Sequence, residues 1–230
     1  MKTNTKAWTA KEKETKNVNP GAKKVHNLII VDESGSMSSI YNAALSGMNE
    51  TLNTIRKMAD ENRAQEQEVT LVTFDTSHYN RIFDSLPAAQ TREITSADYH
   101  PCGGTPLYDS MGKALTELEP KVKENEAVLV TVITDGYENA SCEYSLQDIR
   151  ALVDRLDNAG WLFTYIGANQ DAEAVGSSMG FTECLNFDAN EKSMQEMWEK
   201  ERNARTQFVR ETQHPDYNPK SYKRGNFFKR

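Results

Sequence analysis

The chain has 230 residues, with 34 Asp and Glu against 27 Lys and Arg for a formal charge of −7, and 37% of its residues are hydrophobic. That length suits one α/β domain with extensions, long enough to bury a core unaided. It excludes a membrane-spanning chain, because no run approaches the roughly 18–20 apolar residues of a span, and the opening MKTNTKAWTAKEKETKN has no apolar stretch to act as an export signal. The reading is therefore of a soluble, unexported, cytoplasmic protein.

Three cysteines, Cys102, Cys142 and Cys184, cannot all pair within the chain and have no CxxC spacing. Reduced thiols are the simpler account. The charge is unevenly spread: residues 1–24 hold seven Lys/Arg against two acids and residues 190–230 hold ten against six, which leaves the body at −16. An acidic body concentrates divalent cations and argues against nucleic acid as its ligand. Basic ends such as KSYKRGNFFKR read first as solvated, or as lying on an oppositely charged neighbour.

In chain order, residues 1–24 read as a basic polar extension. VHNLIIVD (25–32) is β-branched and apolar without alternation, as a fully buried parallel strand is. From Ile40 to Ala59, Tyr41, Ala44, Leu45, Met48, Leu52, Ile55 and Ala59 recur at three- and four-residue spacing and predict an amphipathic helix. VTLVTFD is a second strand after the polar ENRAQEQ, and RIFD a short edge strand antiparallel to it. Leu86 to Gly104 reads as a loop, of the kind that is often functional at a sheet edge.

Thr105-Pro106 opens the next helix, with Leu107, Met111, Leu115 and Leu118 on one stripe. AVLVTVIT is another buried strand. Leu146, Ile149, Leu152, Val153 and Leu156 mark a helix, WLFTYIG a strand, Ala172 to Met179 a short helix and TECLNF a last strand. Such alternation implies crossover units: a Rossmann-like three-layer α/β/α sandwich over residues 25–188, its central sheet mostly parallel with one antiparallel edge strand. Met194, Met197, Trp198, Ala204 and Phe208 share one face of a C-terminal amphipathic helix (189–212), read as docked on the domain. Residues 213–230 read as a basic tail without its own fold.

Five oxygen-bearing residues stand where strands end or helices begin: Asp32, Ser34 and Ser36 in VDESGSM, Thr105 in GGTPL and Asp135 in VITDG. Ligand sites of open parallel sheets lie at the carboxyl ends of the strands, where alternate side chains share a direction. Magnesium wants about six oxygens and retains several waters, so neutral hydroxyls with outlying carboxylates suit it. With Ser34, Ser36 and Thr105 binding directly and Asp32 and Asp135 acting through water or hydroxyls, the inner shell carries little negative charge. The ion then seeks one more anionic oxygen, an Asp or Glu of another protein. The bland alternative is that Ser, Thr and Asp simply cap the strand-to-helix turns.

These three segments resemble the von Willebrand factor A (vWA) domain family, whose metal-ion-dependent adhesion site has the form Asp-x-Ser-x-Ser, then a Thr, then an Asp. All five positions match, GGTPL and ITDG also look like the family, and the likeness runs from about Val25 to Phe187. The resemblance implies a site for Mg²⁺ or Mn²⁺ at Asp32, Ser34, Ser36, Thr105 and Asp135, and a non-enzymatic adaptor or scaffold. It implies a partner protein that supplies an acidic side chain to the metal. Within the family the chain looks like the intracellular bacterial members found with stress-response and tellurite-resistance systems. Domains of this kind can switch by a shift of the Thr-bearing loop, here the loop of Thr105.

Other chemistries fit less well. DESGSM has neither GxGxxG nor GxxxxGK[ST]. A phosphotransferase resembling the haloacid dehalogenases calls for a second Asp at the position of Ser34, and neither Ser34 nor Ser36 sits in GxSxG. A metal-dependent hydrolase of phosphate esters is the competing class and needs a base from Asp32, Asp135 or a loop histidine, His78 or His100. A third possibility is a scaffold that binds through its acidic face or C-terminal helix. Asp75, ending the second strand, is an ordinary turn residue or an outer acceptor. Cys102 is redox-sensitive only if its thiolate is stabilised.

Overall fold

The computed structural model describes residues 21–168, 171–221, 225 and 227–229. Six strands, β1 (Lys24–Asp32), β2 (Glu66–Phe74), β3 (Tyr79–Pro87), β4 (Ala127–Thr134), β5 (Leu162–Ala168) and β6 (Glu183–Phe187), form one sheet in the order β3-β2-β1-β4-β5-β6. All neighbours are parallel except β2 and β3. Every residue of β4, and every residue of β1 after Lys24, is buried. That is why these strands are continuous apolar runs rather than alternating ones.

Helices α1 (Tyr41–Glu61) and α5 (Glu191–Thr212) cover one face; α2 (Leu107–Leu118), α3 (Leu146–Asn158) and α4 (Ala172–Ser178) cover the other. Alternation along β1 feeds both cores: Val25, Ile29 and Val31 join the α1/α5 side, and Leu28 and Ile30 the α2/α3 side. The sandwich is thus the expected three-layer α/β/α arrangement with one antiparallel edge strand. β1 is paired with β2 on one side and with β4 on the other, so the chain changes direction across the sheet between β1 and β4. That is the crevice where open α/β sheets hold ligands.

α5 lies on α1 and the sheet, with Met194, Met197, Trp198 and Phe208 buried. Arg205 and Glu201 on the same helix are fully buried. The Arg205 guanidinium donates to Glu201 Oε1, to Asn27 Oδ1 at 2.7 Å and to Thr131 Oγ1 at 2.9 Å.

Several local expectations are corrected. β2 begins in the polar EQE stretch, because those groups find partners there: Gln67 meets Asn27, and Glu68 meets Lys24 and His26. The antiparallel edge strand is nine residues long rather than four. The VDESGSM loop leads into a 3-10 turn over Gly35–Ile40, and the α-helix starts only at Tyr41. Residues 1–20 of the expected N-terminal extension lie outside the described residues, whereas Ala22 is already buried and Lys24 opens β1. The described part of the expected tail lies on the domain: Tyr217 and Phe227 are buried, the latter beside Phe208. Aromatic side chains supply apolar area that the basic composition of this stretch conceals.

Candidate metal site

The register of the sheet sets Val31 beside Ile133, so the next residues, Asp32 and Thr134, leave the sheet side by side. Asp32 is fully buried. Its Oδ1 accepts from the Ser34 N–H at 2.7 Å, and its Oδ2 accepts from Thr134 Oγ1 at 2.6 Å. Ser34 Oγ lies 3.1 Å from Ser36 Oγ, which donates to Asp135 Oδ1 at 2.5 Å. The Asp-x-Ser-x-Ser segment and the VITDG segment are thereby joined across the β1/β4 crevice.

Thr105 arrives from the opposite core layer. Its N–H donates to Asn139 Oδ1 at 2.8 Å, and the Asn139 N–H returns a bond to Thr105 O at 3.2 Å. Gly136 shows where these oxygens converge. A Cβ added there would stand 3.1 Å from Thr105 Oγ1, 3.8 Å from Ser36 Oγ and 3.9 Å from Asp32 Oδ2. All three nearest atoms are side-chain oxygens, and a side chain at 136 would crowd them. The five predicted residues are therefore brought into one locality.

The capping explanation fails for two of them. Ser34 stands at the N-cap of the 3-10 turn and makes no side-chain cap bond, and the N-cap of α2 is Pro106 rather than Thr105.

Burial pushes the Asp32 carboxyl up to about 6; the hydrogen bonds from Thr134 and Ser34 oppose the shift and the Asp135 charge adds to it. Asp135 is raised too, chiefly by burial, against its bond from Ser36. Two partly desolvated carboxylates beside three hydroxyls form an all-oxygen donor set of the kind hard divalent cations take, and a cation would reverse both shifts. Among the described residues no three His, Cys, Asp or Glu side chains converge as a metal cluster. Asp32 and Asp135 are the two such groups bonded to the cluster of hydroxyls.

The other candidates lie to one side. His78 has Nδ1 3.2 Å from Asp75 Oδ1 and Nε2 3.5 Å from Glu33 Oε2. Asp75 accepts the Ser77 and His78 N–H groups and so closes the β2–β3 turn. The Cys102 thiol is exposed and donates to Asp75 Oδ2 at 2.7 Å, a bond that, more than any other influence, raises its pKa. This is the reverse of a stabilised thiolate. Cys142 and Cys184 are likewise free.

Sequence reading missed four contributors. Thr134, Gly136 and Asn139 shape the site as described. Glu33, buried between Asp32 and Ser34, ties down the approach of Thr105: its carbonyl accepts the Cys102 N–H at 2.9 Å and its carboxylate accepts the His100 N–H. The one sequence signal was a carboxylate inside an otherwise small-residue loop.

No family model matches the chain, and no curated protein matches it. Among solved structures it is similar to the PilB minor pilin from Streptococcus sanguinis, at a TM-score of 0.58 and 12% identity over 82% of this chain. The match covers 63% of PilB, so the chain spans less than two thirds of that protein. The SpRpn10 VWA domain aligns at a TM-score of 0.55 and 13% identity, over 75% of this chain and 92% of that one. The vWF domain of the type V pili tip protein Mfa5 from Porphyromonas gingivalis aligns at 0.53 and 9%, over 77% and 95% respectively. At these identities the likeness concerns architecture alone: the chain has the fold of a von Willebrand factor A domain.

Proposed function

We propose that this chain is a metal-dependent protein-interaction module, an adaptor or scaffold rather than an enzyme. Ser34, Ser36 and Thr105 hold a Mg²⁺ or Mn²⁺ ion through their hydroxyls, with Asp32 and Asp135 fixing those hydroxyls and balancing charge. The bound cation supplies one electrophilic position that a partner's Asp or Glu oxygen takes up. The observation that carries this reading is the approach of Thr105 Oγ1, Ser36 Oγ and Asp32 Oδ2 to one point beside Gly136.

The residues of the chain do the rest. Thr134 and the Ser34 N–H orient Asp32, Asp135 holds the Ser36 hydroxyl, and Asn139 clasps the backbone of Thr105. The three unpaired cysteines support a cytoplasmic setting.

A Mn²⁺ titration followed by electron paramagnetic resonance tests the reading. Wild type should show saturable one-site binding that Ser34→Ala/Ser36→Ala loses at unchanged circular dichroism. Equal binding by the two proteins, or none by either, overturns it.

A further inference from the structure

The loops around the site have an unusual side-chain inventory. Segments 33–39, 75–79, 99–106 and 135–145 contain no Lys or Arg. Of their carboxylates, Glu33 and Asp75 are buried, Asp135 holds Ser36, Glu138 accepts from Tyr108 N, Ala140 N and Ser141, and Glu143 is exposed. Against this polar background stands one exposed large hydrophobic side chain. Tyr137, directly after Asp135 and Gly136, is 58% exposed, and the only other exposed large hydrophobic among the described residues is Leu146.

Tyr137 is exposed on a rigid mount. On one side, the Gly136 N–H is fixed on Thr134 Oγ1 at 3.1 Å. On the other, the Glu138 carboxylate is locked by backbone N–H groups, and Asn139 is clasped to Thr105. A side chain held still before binding loses little entropy on contact, and buried tyrosines are frequent energetic anchors of interfaces. Leaving an aromatic ring in water at this place has no benefit to folding.

We propose that Tyr137 is the specificity contact of the site. Its partner is a protein segment in which a single carboxylate is followed or preceded closely by an aromatic or aliphatic side chain, with the remaining charges basic. This rests on the metal-mediated binding proposed above. The carboxylate is drawn in by the cation alone, because no Lys or Arg of the surrounding loops is there to attract a second acid. A body carrying −16 repels acidic runs and favours basic flanks. The apolar neighbour of the carboxylate covers the Tyr137 ring, so that cation and ring are read together, one residue apart.

Panning a random peptide display library on the full-length protein with Mn²⁺, and eluting with EDTA, tests this. The enriched peptides should carry one Asp or Glu with an aromatic or aliphatic residue within two positions, and Lys or Arg further out. Tyr137→Ser should lower the affinity for such peptides by about tenfold or more and Tyr137→Phe should retain it, while Mn²⁺ binding by paramagnetic resonance is unchanged in both. Enrichment of acidic runs, no EDTA-sensitive enrichment from a Mn²⁺-binding protein, or undiminished peptide affinity in Tyr137→Ser overturns the role of Tyr137 and leaves the metal site standing. Failure of the wild type to bind Mn²⁺ overturns the underlying metal reading, and this inference with it.

Discussion

Thr134 Oγ1 donates to Asp32 Oδ2 at 2.6 Å while accepting the Gly136 N–H at 3.1 Å, so one hydroxyl joins the ends of β1 and β4 and orients the most deeply buried carboxylate of the site. The bond does not offset the desolvation of Asp32, which still titrates near 6. A divalent cation held by the neighbouring hydroxyls would.

The pH dependence follows from that sign. A carboxyl whose folded pKa is raised contributes stability present below its unfolded value, near 4, and lost as pH rises through about 6. The metal-free protein is therefore penalised at neutral pH by Asp32, and in the same direction by Asp135. Mg²⁺ at about 100 times its Kd should restore roughly 3 kcal/mol, a Tm rise of about 5–10 °C, at pH 7.5. The rise should shrink strongly at pH 5, where protonated Asp32 competes with the cation. Melting curves with and without Mg²⁺ at the two pH values check this; an equal rise at both would show that Asp32 is not linked to the cation.

Glu33 offers a second test, because it acts on Thr105 at a distance. Glu33→Ala leaves the His100 N–H without its acceptor and loosens the segment that leads to GGTPL. Groups that orient metal ligands typically cost about 10–100-fold in affinity when removed, and a loss of that size in Mn²⁺ affinity is expected with the fold retained. Glu33→Gln keeps an oxygen acceptor for that N–H and should recover most of the affinity.

Much of this arrangement was legible in the chain. The buried strands VHNLIIVD and AVLVTVIT announced themselves by unbroken apolar runs, and the helices by their stripes. The candidate oxygen-bearing residues were legible because they fall where strands end or helices begin. What stayed hidden depends on pairing between distant segments. Thr134 reads as one more β-branched strand residue until Asp32 is beside it, and Asn139 as a loop residue until Thr105 lies opposite. The EQE start of β2 is polar by composition and becomes strand only because Asn27, Lys24 and His26 meet it. Phe227, in a basic stretch, gives no periodicity from which its burial on α5 could be read.

Gly47 on α1 is where α5 comes closest. A Cβ there would stand 2.0 Å from Trp198 Nε1 and 2.1 Å from Cδ1, inside any tolerable contact. Glycine is thus required by space, and its helix-propensity cost of about 1 kcal/mol is accepted for it. Gly47→Ala, which would stabilise an isolated helix, should instead destabilise the protein by about 1–3 kcal/mol through overpacking. Urea denaturation should place its midpoint below wild type, and Trp198 fluorescence should report the displaced ring.

Arg205 and Glu201 supply the last prediction, since both are fully buried between α5 and the sheet and hold each other through Nε and Nη2 at 2.8 and 2.5 Å. The guanidinium also satisfies Asn27 and Thr131, side chains of the two central strands, so it fixes where α5 sits along the sheet. Removing one charge strands the other in a low-dielectric layer, so Arg205→Met should cost about 3–5 kcal/mol. Removing both charges strands neither. Arg205→Met/Glu201→Leu should therefore be clearly more stable than Arg205→Met, with the residual deficit set by the unpaired Asn27 oxygen. A double variant as unstable as the single would mean that the stability of α5 comes from the Asn27 and Thr131 contacts rather than from the ion pair.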